Sequence, residues 1–60
     1  MKHDIFFNTK DLLIEWLDEN FPDAILKHIE PNGATYYAGD CKIIVTGHHI
    51  LLNFNVTEED

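Results

Sequence analysis

Apolar positions recur with two different periods along this chain, and the change of period divides it. Over residues 8–21, Leu12, Leu13, Trp16, Leu17 and Phe21 follow the i, i+1, i+4, i+5 spacing that collects side chains on one face of a helix. Asn8 reads as the N-cap, Asp11 three residues on as a short form of the capping-box acid, and Phe7 and Leu12 as a hydrophobic staple. An acid in the first turn also suits the helix dipole. Pro22 ends the helix by restricting the residue before it. As the first residue of a second helix it would instead begin one over residues 23–29, so both readings of that segment stand.

From Ala34 onward the period falls to two, with β-branched and aromatic residues separated by the turn signals Gly39-Asp40 and Gly47-His48. Two-residue hairpins at both places pair Ala38 with Cys41, Tyr36 with Ile43, Val45 with Ile50 and Ile43 with Leu52. One face then carries Ala34, Tyr36, Ala38, Cys41, Ile43, Val45, Ile50, Leu52, Phe54 and Val56. The other carries Thr35, Tyr37, Lys42, Ile44, Thr46, His49, Leu51, Asn53 and Asn55. A wrong register would mix the two sets.

Residues 23–30 are read as a further strand. Asn32-Gly33 signals a hairpin, but Pro31 cannot donate the ladder hydrogen bond beside a two-residue turn there, so a three-residue loop over 31–33 is expected. That register turns Ala24, Leu26 and His28 to the core, whereas the shorter turn would send Ile25 and Ile29 there. The predicted fold is α+β: one N-terminal amphipathic helix packed on a three- to four-stranded antiparallel β-meander, in the order α-β-β-β-β. Residues 1–60 form a single small domain, with 57–60 a frayed acidic tail.

Composition narrows what such a domain does. Hydrophobic residues make up 45% and charged residues 25%, as in folded globular chains. Only Ile5-Phe6-Phe7 is apolar before Asn8, so no signal-peptide core or spanning segment is expected. The lone Cys41 permits no internal disulfide and suits a reducing compartment. The expected location is a cytoplasm, the host's if the chain is phage-encoded.

Charge changes the picture most. Eleven Asp and Glu against four Lys and no Arg give a net charge of −7. That disfavours direct binding of nucleic acid, which draws on Lys and Arg to neutralise phosphates, and equally an anionic membrane surface. Asp11, Glu15, Asp18 and Glu19 fall at i, i+4, i+7 and i+8, a row of carboxylates opposite Trp16 and Leu17 that Asp23 can extend. Like charges so spaced cost an isolated helix roughly 0.2–0.5 kcal/mol per pair, so something other than helix stability can have placed them. The functional expectation is an inhibitor or regulator whose acidic row imitates duplex phosphates and occupies a basic surface of a nucleic-acid-binding protein or nuclease. The plainer reading is a solvated face that keeps the chain dissolved. In size and acidity, and in composition only, the chain is similar to phage-encoded inhibitors of host nucleic-acid enzymes.

Tyr37, Ile44 and Leu51 place apolar side chains on the outer sheet face, with Ile44 and Leu51 direct cross-strand partners. They form a patch for a partner or a homodimer, unless residues 5–7 or the tail cover it. This supports an alternative function, a homo-oligomeric assembly or regulatory module whose acids serve solubility. His48 and His49 are adjacent at a turn and no ligand spacing is present, so no metal and no cofactor is expected. Cys41 faces the predicted core as a small hydrophobe, and no nucleophile, phosphate loop or paired buried carboxylate can be named. The chain is read as non-enzymatic.

Overall fold

The computed structural model describes residues 2–54. They form β1 (Lys2–Phe6), α1 (Lys10–Asn20), β2 (Ile25–Glu30), β3 (Gly33–Ala38), β4 (Cys41–Thr46) and β5 (His49–Asn53). The strands make one antiparallel sheet in the order β1-β5-β4-β3-β2, so β2 to β5 run as a meander and β1 adds beside β5. The helix therefore links the two edge strands. The α+β class is as expected, but the sheet has five strands rather than three or four. The extra one is β1, whose Lys2, His3 and Asp4 hide its period; its pairing puts Ile5 opposite Ile50 and His3 opposite Leu52.

Thr9, not Asn8, caps α1. It is extended, at φ −138° and ψ 160°, and its Oγ1 accepts a hydrogen bond from the Leu12 N–H at 3.2 Å. At the other end the Phe21 N–H donates to the Leu17 carbonyl at 2.8 Å, Phe21 leaves helical angles, and Pro22 follows. The chain turns over residues 21–24, with the Ala24 N–H donating to the Phe21 carbonyl at 3.1 Å. It continues as a strand, not a second helix.

Leu13 from α1 is buried with Cys41, Ile43, Val45, Ile50 and Leu52 from the sheet. Trp16, Leu17 and Phe21 pack against this cluster, and Trp16 lies 6.0 Å from Phe7 and 5.9 Å from Phe21 between ring centres. Phe7 thus meets Trp16, whereas Leu12, its expected staple partner, is an exposed hydrophobic. The β3–β4 and β4–β5 hairpins show the expected registers, including Ala38 with Cys41, Tyr36 with Ile43, Val45 with Ile50 and Ile43 with Leu52. Gly39 opens the first of these turns at φ 64°, the positive value that a primed hairpin turn requires there. Asn55 and Val56 lie outside the described residues, as does the expected tail.

The β2–β3 connection corrects both expected registers. Glu30 pairs with Gly33 across a two-residue Pro31-Asn32 turn. Pro31 takes the turn position where its fixed φ is favourable and its N–H is not needed, which removes the objection to a short turn. A bulge between Leu26 and His28 then sets Ile29 opposite Ala34 but Leu26 opposite Tyr36. Leu26 and Ile29, three residues apart, therefore share the helix side, while His28 pairs with Thr35 on the outer face instead of turning inward. Gly33 has its own constraint: a Cβ there would collide with the Val45 carbonyl oxygen.

Candidate functional site

α1 presents Asp11, Glu15, Asp18 and Glu19 to solvent on the face opposite Leu13, Trp16 and Leu17. The helix brings these four together. Asp23 is exposed in the turn after α1 and lies off the helical row. The last turn holds Asp18 and Glu19 and no basic residue, an arrangement that opposes the helix dipole. Two sources of unfavourable electrostatics, like-charge spacing and acids at the C-terminal end, thus coincide in one helix.

On the outer face Ile44 lies directly opposite Leu51, and Tyr37 stands between Lys42 and Ile25 in the neighbouring cross-strand row. All three named residues are half-buried. Residues 5–7 do not fold over them. Instead β1 extends the same face in the plane of the sheet, setting Asp4 opposite Leu51 and Phe6 opposite His49. The His49 ring stacks on Phe6 with centres 4.4 Å apart, and its Nε2 lies 2.7 Å from Asp4 Oδ1. Polar groups therefore border the patch, including Lys2, Asp4, Lys42 and His28.

A third surface was not anticipated. Along the helix side of the sheet runs an open groove of about 560 Å³, walled by Leu13, Ile14 and Leu17 of α1 and by Ala34, Tyr36 and Val45 of β3 and β4. Beyond it all six residues of β2 are exposed. Among the described residues, three of the six large exposed hydrophobics, Ile14, Leu26 and Ile29, lie on this wall or on the same side of the edge strand, while Ile25 of that strand pairs with Tyr37 on the outer face. Ile14 gave a sequence signal: it interrupts the acidic row, three residues after Asp11 and four before Asp18. The bulge that turns Leu26 to this side gave none.

Cys41 is buried, as its inward position implied. Burial raises its pKa most, the charge of Asp40 adds to this, and a hydrogen bond from the Asn53 backbone works against them. Such a thiol is a poor nucleophile at neutral pH. His28 Nε2 lies 3.2 Å from Glu30 Oε2, an exposed pair. Among the described residues, no group of three or more His, Cys, Asp or Glu side chains is placed to hold a metal ion, and no helix is long and apolar enough to cross a membrane. Comparison of the chain with protein-family models, curated proteins and solved structures finds no match.

Proposed function

We propose that this chain is a non-enzymatic inhibitor or regulator that occupies a basic surface of a nucleic-acid-binding protein or nuclease, with Asp11, Glu15, Asp18 and Glu19 standing where phosphates would. The observation that carries this is the exposed acidic row on α1, maintained against both the spacing of its charges and the direction of the helix dipole. A net charge of −7 extends the same field and steers a cationic partner toward it.

The test is capture from the native cytoplasm with the tagged chain beside the D11N/E15Q/D18N/E19Q variant. The expected result is a nucleic-acid-binding protein retained by the parent, lost with the variant and lost as salt is raised. Equal capture by the variant contradicts the proposal.

A second reading, a homo-oligomeric assembly module, draws on the direct Ile44–Leu51 pairing beside Tyr37 and Ile25. It predicts a concentration-dependent mass in sedimentation that Leu51→Asp abolishes. A parent and variant that both sediment as monomers remove it.

A further inference from the structure

Neighbouring strands stand about 4.8 Å apart, so the outer strands of five lie about 19 Å from each other, while one helix covers a width of about 10 Å. One helix leaves half of that face open. The open half is where the groove lies, between α1 and the strands β3 and β4. The edge beyond it adds two apolar side chains on this side: Leu26 pairs with the groove residue Tyr36 and Ile29 with the groove residue Ala34, so both continue the floor outward on the same face. Ile29 is 70% exposed and Ile14, on the opposite wall, 52%. Both edges hold charged side chains of the kind that discourage strand pairing, Lys2, His3 and Asp4 on β1 and Lys27, His28 and Glu30 on β2.

We propose that this half-face is the docking site for a basic amphipathic helix of a partner protein, laid beside α1 over β2 and β3. Its apolar face fills the groove against Ile14, Leu17, Tyr36, Leu26 and Ile29. Its Lys and Arg side chains meet Asp11 and Asp18, which flank Ile14 on α1, and Glu30, which lines the groove. Lys10 lines the groove as well as Glu30, and favours an acidic residue or the carboxyl end of the incoming helix beside it. Charge selects this occupant over a second copy, which would bring another −7 toward Asp11, Asp18 and Glu30. The inference rests on the basic-partner reading above and adds the shape of the partner and the apolar half of its site.

The probe is a synthetic helical peptide with leucines on one face and lysines on the others, titrated into the 15N-labelled full chain and followed by amide shifts and by anisotropy of a fluorescent label. Amide shifts are expected to concentrate at Ile14, Leu17, Leu26, Ile29 and Tyr36. Ile14→Asp and Ile29→Asp, both at exposed positions and with folding checked by circular dichroism, are each expected to weaken binding at least ~10-fold, the loss of one buried anchor. The four-fold acid-neutralised chain is expected to weaken it as well. Binding that is lost on neutralisation but unchanged by both isoleucine variants overturns the groove and leaves the basic-partner reading standing. Binding lost in the isoleucine variants but indifferent to neutralisation overturns the basic partner. Shifts confined to β2 amides, with Ile14 and Tyr36 unmoved, indicate strand addition and overturn the helix. Self-association that Ile29→Asp abolishes makes a second copy the occupant and overturns the proposal, and so does a peptide that does not bind at low salt.

Discussion

At Gly33 the strands β3 and β4 approach so closely that any side chain meets the Val45 carbonyl, a backbone atom that cannot swing aside. Gly33→Ala should therefore destabilise the fold by about 2 kcal/mol or more, the order expected of overpacking, read as a lowered urea midpoint. Cys41 offers a prediction of opposite character. Because burial raises its folded pKa, the unfolded chain releases the proton at lower pH than the folded one. The stability this confers is complete below the ordinary thiol pKa and is lost as pH rises through the raised folded value. As pH rises above the ordinary thiol pKa, the parent should lose stability more steeply than Cys41→Ala. Thiol reagents at neutral pH should modify Cys41 only as fast as the chain unfolds.

The helix shows what spacing reveals and what it leaves open. The inward face, with Leu13, Trp16 and Leu17, was legible because burial imposes a period of 3.6 residues. The cap was off by one, since Asn8 and Thr9 are both competent and only backbone geometry chooses between them. Thr9→Ala should cost about 1 kcal/mol and Asn8→Ala much less, in thermal or urea unfolding. Glu15 has acidic neighbours four residues away on either side, so Glu15→Gln should raise stability by roughly 0.5 kcal/mol at low salt, an effect that salt erases. A loss of stability on that change would mean the acid serves the fold. Among the strands, the two hairpins from β3 to β5 were readable because one face is buried and a one-residue slip would expose it. β2 was not readable to the residue: with neither face covered, nothing in its pattern reports a bulge or a register. β1 escaped notice because an edge strand tolerates Lys2 and Asp4 on its outer side and takes its order from β5.

Across the molecule, charge and apolar surface fall on adjoining areas. The acidic row tops α1, and the groove with the exposed Leu26 and Ile29 of β2 lies at the helix's flank. The row was visible in the sequence because helical spacing alone assembles it. The groove was not, since it arises from one helix lying on five strands, a ratio set by topology and by a strand the sequence concealed. The most direct test of a basic target is the salt dependence of affinity for the captured protein, measured for the parent and for D11N/E15Q/D18N/E19Q from about 50 to about 300 mM salt, a range over which the screening length falls about 2.5-fold, to about 5–6 Å. The parent should lose affinity steeply across that range and the variant should bind weakly with a shallow slope; parallel, shallow slopes of equal affinity would contradict an electrostatic role for the row.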